Sequence, residues 1–228
     1  MTLKIEIIIS RFNEDLKWTT HGIFNNYRYI VYNKGDNDNF EKSNVDKIIN
    51  LKNVGKCDHT YLYHIIKNYN DLHDILIFLP GSLDLINKNI RAIEMLDIIK
   101  NTGNAVFLGE YYENIKNKFE NFCLNDWRTT NNQNFDKNHE SMLDLSLIRP
   151  FGKWYKYNFD NIIANYVCYW GIFSIDKRDI IQHPINRYIN LINQLNSSSN
   201  PEVGHYIERS WAAIFHPMNY TKLIIKNY

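Results

Sequence analysis

Two polar clusters have the residue types and spacing to do chemistry. The first, Ser10-Arg11-Phe12-Asn13-Glu14-Asp15, follows the apolar run Ile5, Ile7, Ile8, Ile9 and is sealed by Leu16 and Trp18. Such a run reads as a strand buried on both faces, and α/β proteins bind ligands beyond the carboxyl ends of their strands. Arg11, Asn13, Glu14 and Asp15 are therefore candidate ligand contacts, although Glu14 and Asp15 equally suit the start of a helix, where carboxylates complement the dipole. The second cluster is Glu202-Val203-Gly204-His205-Tyr206-Ile207-Glu208-Arg209. Helical spacing makes His205 a neighbour of both Glu208 and Arg209 and leaves Glu202 at the helix start. A carboxylate in a cleft can take the proton of a hydroxyl, so Glu202 and Glu208 are candidate bases, ahead of His205. The competing reading is a capping glutamate and a structural Glu208–Arg209 ion pair.

The elements that must position these clusters are legible as periodicities. A second apolar run, Tyr29 to Tyr32, precedes Asn33-Lys34-Gly35, and a short strand is expected at Asp46 to Leu51. After Asn53-Val54-Gly55-Lys56 the residues Tyr61, Leu62, Ile65, Ile66 and Tyr69 fall at helical spacing. Asn53, Gly55 and Lys56 thus stand at a helix amino terminus, where glycine allows close backbone approach and the dipole favours an anion. Ile75 to Leu79 is a strand closed by Pro80-Gly81, which completes a β-α-β unit. Ile86 to Lys100 reads as a helix with Ile90, Ile93, Leu96 and Ile99 on its apolar face, followed by a short strand at Ala105 to Leu108. Residues 113–137 form a polar stretch carrying isolated aromatics, the composition of a lid or of a pinned surface loop. A strand is expected near Ala164 to Phe173 with Trp170-Gly171 inside it, then helices after Pro184 and from about Val203 to Phe215. The expected architecture is one α/β domain over 1–228 with a mostly parallel central sheet flanked by helices.

Composition removes several classes of function. With 26 Lys and Arg against 25 Asp and Glu, the net charge of +1 gives no electrostatic basis for nucleic-acid binding. No apolar stretch reaches the ~20 residues that span a bilayer, and Met1 to Lys4 leads directly into a strand, so a cytoplasmic protein is expected. Cys57, Cys123 and Cys168 are odd in number and lack a Cys-x-x-Cys pair, which signals neither a disulfide framework nor a zinc site. There is no Gly-x-Ser-x-Gly elbow, P-loop or Gly-x-Gly-x-x-Gly fingerprint.

The order of strand, polar strand end, Asn-x-Gly helix start, apolar strand and acidic turn is similar to the nucleotide-sugar half of GT-A glycosyltransferases. More closely, the chain resembles an uncharacterised glycosyltransferase-like family of fungi, bacteria and large DNA viruses. The matching segments are SRFNEDLKW (Ser10 to Trp18), VYNKG (Val31 to Gly35), NVGKCDHTYLYHII (Asn53 to Ile66), FLPGS (Phe78 to Ser82), RPFGKWY (Arg149 to Tyr155), WGIFSI (Trp170 to Ile175) and PEVGHYIERSWAAIF (Pro201 to Phe215). The resemblance implies a donor half over 1–110 and an acceptor half over 111–228, and transfer of a sugar from a nucleotide-diphosphate donor to a hydroxyl acceptor on a glycan or protein. It assigns Arg11, Asn13, Glu14, Asp15, Asn53, Gly55, Lys56 and Ser82 to the donor, and Trp127, Trp154, Trp170 and Arg209 to the acceptor. Glu202, Glu208 and His205 become the catalytic candidates. It also implies a divalent cation, Mn2+ or Mg2+, on an Asp-x-Asp pair, of which this strand end supplies only Asp84. Asp84 alone also suits a helix cap. Without the second carboxylate, either Asp84 binds the metal with help from diphosphate oxygens, from Glu14 or Asp15, or from His205 or His216, or Arg11, Lys56 or Arg209 carries the leaving-group charge without metal. A catalytically silent nucleotide- or sugar-binding module, or an interaction protein with this fold, are the alternatives that the missing carboxylate keeps open.

Overall fold

The computed structural model describes residues 3–125 and 143–226. Its strands are β1 (Ile5–Arg11), β2 (Tyr29–Asn33), β3 (Val45–Asn50), β4 (Ile75–Pro80), β5 (Val106–Tyr111), β6 (Tyr166–Val167), β7 (Phe173–Asp176) and β8 (Lys222–Ile225). The helices are α1 (Lys56–Lys67), α2 (Ile86–Thr102), α3 (Ile115–Lys118), α4 (Phe151–Phe159), α5 (Lys177–Ile181), α6 (Ile185–Ile192) and α7 (Glu202–Ile214).

The central sheet has the order β3-β2-β1-β4-β7. β1 pairs parallel with β2 and β4, and β2 with β3, whereas β7 runs antiparallel to β4. The sheet is therefore mixed, not mostly parallel as expected. Strand β7 enters from the second half of the chain, so the two sequence halves share one sheet instead of forming separate layers. A second sheet, β6-β5-β8, docks beside it through the Ser174 hydroxyl, which donates to the Val106 carbonyl at 2.9 Å and accepts the Val106 amide at 2.7 Å.

Burial on both faces follows the two-residue period of a strand. Ile7 and Ile9 of β1 and Ile75, Ile77 and Leu79 of β4 pack on one side with Ala92, Met95, Leu96 and Ile99 of α2. Ile8, Leu76 and Phe78 point to the other side, where Tyr61 and Leu62 of α1 meet Tyr206 and Trp211 of α7. The apolar stripe of α2 is displaced from the expected one: Ile90 is exposed and Arg91 is buried in its place. Trp154 is fully buried, with its indole N–H on the Gln194 side-chain oxygen at 2.7 Å, so it belongs to the core and not to an acceptor wall.

The expected strand at Ala164 to Phe173 is broken. Residues Tyr169–Gly171 form a 3-10 turn, and both Trp170 (φ 69°) and Gly171 (φ 65°) adopt the left-handed conformation. A Cβ on Gly171 would stand 2.9 Å from the Cys57 sulfur, so the turn and α1 approach closely only because residue 171 is glycine.

The loops after β1 and β2 are pressed together at Gly35, where a Cβ would lie 1.5 Å from the Phe12 carbonyl oxygen. Gly35→Ala is expected to cost at least about 2 kcal/mol in urea denaturation, because the obstacle is backbone. Gly22→Ala, which meets nothing within 4 Å but has φ +53°, should cost only about 1 kcal/mol.

Candidate functional site

Polar residues of β1, β4, α1, α2 and α7 lie around the carboxyl ends of β1 and β4, and their environments sort the sequence candidates into buried, fully bonded groups and half-open ones. Arg11 belongs to the first kind. It is buried, and its guanidinium donates to the carbonyls of Phe12, Glu14 and Asn37 and to the side-chain oxygens of Asn33 and Asn37 at 2.5–3.3 Å, beneath the Phe40 ring. Asn13 accepts from Asn37 Nδ2 at 2.7 Å in the same network. Asp15 caps its own turn by accepting the Lys17 amide at 3.0 Å. Glu14 folds back to accept the Phe12 and Asn13 amides at 2.7 and 3.1 Å, and its carboxylate rests on Gly81, where a Cβ would come within 2.7 Å. That contact ties the β1 end to the β4 end and explains the glycine in FLPGS.

Gly55 adopts φ 58°, but its amide donates to the Ser198 carbonyl at 2.8 Å and its Cα faces Leu195. The glycine therefore serves close packing of residues 195–198 and does not offer its N–H to a diphosphate. Asn53 is half-buried in the turn ahead of it, and Lys56, at φ 49°, opens α1.

The two glutamates of α7 have different fates. Glu202 is fully buried: it accepts the Leu124 amide and Tyr206 hydroxyl on one oxygen at 2.8 and 2.7 Å, accepts the Ser146 amide on the other at 2.9 Å, and pairs with Arg149 at 3.1 Å. Every lone-pair direction is taken, so Glu202 anchors chain segments around 124 and 146–149 and is withdrawn from base chemistry. His205, Glu208 and Arg209 instead form the half-buried stripe of α7, as their spacing requires. Glu208 accepts the Trp170 amide on Oε1 at 2.9 Å, and its Oε2 stands 3.7 Å from the Arg209 guanidinium. The left-handed Trp170 is thus pinned on the acid it faces. Burial, with Lys56 and Arg209 adding positive charge, pushes the His205 imidazole down to about 3 and keeps it neutral.

Three residues were missed at the level of sequence. Lys88, in the first turn of α2, donates to Ser82 Oγ at 2.7 Å; burial lowers its pKa against the opposing fields of Cys57, Glu14, Glu208 and Asp84. Lys34 is buried and donates to the carbonyls of Val54, at 2.6 Å, and Lys56; desolvation pushes it down to about 7. Asp58 is buried beneath α7, accepts the Trp211 indole N–H at 2.9 Å, and is pushed up to about 8 by burial and then by Glu208. Lys34 lies in the VYNKG segment and Asp58 in the first turn of α1, which were the signals available; Lys88 looks like any surface lysine of an amphipathic helix.

Asp84 is exposed two residues before α2, whose N-cap position is taken by Leu85. Among the described residues no three His, Cys, Asp or Glu side chains are gathered to hold a metal ion. One exposed carboxylate beside an ammonium does not fit a protein-built cation site. Trp127 lies outside the described residues. No helix among them is long and apolar enough to cross a membrane.

Fold and site together define an α/β protein with a polar centre at the carboxyl edge of a mixed sheet. The chain belongs to the family described as protein of unknown function (DUF3431), which it matches over residues 7–223. No curated protein and no solved structure matches it.

Two outcomes follow from these environments. Glu202→Ala should lower stability by about 2–4 kcal/mol in chemical denaturation, because it strands Arg149, the Tyr206 hydroxyl and the Leu124 and Ser146 amides. The unfolded His205 takes a proton near its ordinary 6.5 and the folded one refuses it to about 3, so this residue makes stability fall as pH falls through that window. Asp58 acts with the opposite sign, keeping a proton in the fold between about 4 and 8. The stability difference between wild type and His205→Asn, measured from pH 7 to 4, isolates His205 and should change by up to about 1.4 kcal/mol per pH unit.

Proposed function

We propose that this protein is a GT-A-like glycosyltransferase that moves a sugar from a nucleotide-diphosphate donor to a hydroxyl acceptor. The observation that carries the reading is that Glu208, held by the Trp170 amide, is near enough for its field to act on Lys88, which donates to Ser82 at the carboxyl end of β4. A base and a cation then flank the place where α/β folds receive ligands.

In this reading the donor diphosphate lies at the end of β4 and the start of α2. Lys88 supplies the positive charge that its leaving oxygen needs. Glu208 Oε2 accepts the proton of the acceptor hydroxyl while that oxygen attacks the anomeric carbon. The bond from that carbon to the diphosphate oxygen breaks, and its electron pair leaves with the diphosphate. Asp84 and Glu14 have the chemistry to accept hydrogen bonds from sugar hydroxyls, and Trp170 offers an aromatic face to the C–H side of a sugar. Neutral His205 hydrogen-bonds and takes no proton at physiological pH. No step is assigned to a metal ion, because Asp84 and Lys88 do not make a cation site between them.

A thermal-shift panel of UDP-, GDP- and dTDP-sugars, each with EDTA or manganese, tests donor binding; a ligand at ~100 times its dissociation constant adds about 2.7 kcal/mol. Transfer is then assayed with the donor that binds. Glu208→Gln should reduce turnover about 100-fold or more while the melting temperature and donor shift are retained. Nucleotide binding with no transfer to any acceptor would leave a binding module, and no shift with any donor would sink the reading.

A further inference from the structure

Resting on the reading above, we propose that Arg209, Lys56 and His205 form an anion-binding subsite for the acceptor, which therefore carries a phosphate or carboxylate group near its reacting hydroxyl. The Arg209 guanidinium is held in a fixed plane: its centre lies 4.0 Å from the Phe122 ring and 5.5 Å from the rings of both Phe119 and Tyr169. Stacking of this kind fixes the donor fork of an arginine without consuming its N–H groups.

Most of that fork is uncommitted. One N–H of Nη1 donates to the His205 carbonyl at 2.9 Å, and among the described residues the buried Nε–H meets no acceptor. Glu208 does not supply one: it lies 3.7 Å from Nη1, beyond hydrogen-bond distance, and its other oxygen is engaged by Trp170. A buried donor left unmade is costly and uncommon, and it calls for an acceptor. The side chain keeps 15% of its surface open, which gives an anion access from solvent.

Two cations, Lys56 and Arg209, face His205, with the Glu208 carboxylate 3.7 Å from Arg209 as the opposing charge. A planar guanidinium, an ammonium and a neutral imidazole are together suited to phosphate or carboxylate oxygens. The adjacency of Glu208 and Arg209 assigns this anion to the acceptor. An acceptor anchored on Arg209 brings a hydroxyl a few atoms away to Glu208, whereas Ser82, Asp84 and Lys88 stand at the β4 end.

The test is a titration of histidine-labelled protein with inorganic phosphate, glucuronate and, as the neutral control, glucose. The His205 ring resonance, assigned with His205→Asn, is the readout. A saturable shift with phosphate or with glucuronate, absent with glucose, is expected, and which of the two binds tells phosphate from carboxylate. Arg209→Gln should weaken that binding about tenfold or more, and Arg209→Lys by less, with thermal melts confirming that both fold. No saturable shift with either anion, or an unchanged affinity in Arg209→Gln, overturns the proposal. Nucleoside diphosphates are titrated in parallel. If they displace the anion, it belongs to the donor and the acceptor assignment fails. Anion binding with no nucleotide bound anywhere removes the transferase reading and the acceptor assignment and leaves only an anion subsite.

Discussion

The carboxyl edge of this sheet is built around one buried cation, Arg11. Parallel strands end in loops that share no ladder with one another, so something else must hold them at a fixed separation. Arg11 does so by spending its guanidinium on the loops after β1 and β2, with Phe40 closing its face. Burial lowers its pKa, and Glu14, Asp38 and Asp15 oppose that effect from nearby. A lysine has the same charge but not the planar set of five donors, so the network needs arginine specifically. With the loop fixed, Glu14 is left lying on Gly81, and the β1 and β4 ends meet as one surface.

Buried ionisable groups recur one layer out, where they link the sheet to α1 and α7. Lys34 pins the turn before α1 through the carbonyls of Val54 and Lys56, and Asp58 receives the Trp211 indole. These groups sit under the site without being open to it. Their effect is to make the start of α1 and the open stripe of α7 rigid relative to β1 and β4. A catalytic carboxylate needs that support, because small displacements of a reacting group cost large factors in rate.

The parts of this arrangement written in local pattern were legible beforehand. Ile5 to Ile9, Ile75 to Leu79 and the α1 and α7 periodicities lead to strands and helices at those places, and the i, i+3, i+4 relation of His205, Glu208 and Arg209 survives in the fold. What local pattern could not carry is partnership. Glu202 and Glu208 are both glutamates of one helix, roughly 120° apart around its axis. Only the approach of segments around 124 and 146–149 to one side turns the first into an anchor. In the same way, Tyr169-Trp170-Gly171 has strand-like composition, and its turn is imposed by α1 and Glu208. Lys88 and Arg91 show the same limit on α2, where the 3.6-residue period fixes a stripe but not which residues flanking it are taken inward.

Backbone strain marks the same region independently of the side chains. Among the described residues, non-glycine positive φ values occur at Leu16, Lys56, Trp170 and Asp160, and the first three lie after β1, at the start of α1 and in the turn ahead of β7. Each costs of order 1–3 kcal/mol and persists only where its surroundings over-determine it. Leu16 is held by burial, Lys56 by the Lys34 ammonium on its carbonyl, and Trp170 by Glu208 on its amide. Each of these three backbone conformations thus has a named restraint. Strain held this way trades stability for fixed positions of Lys56, Trp170 and Glu208, three residues to which the proposed function and the acceptor subsite give a role.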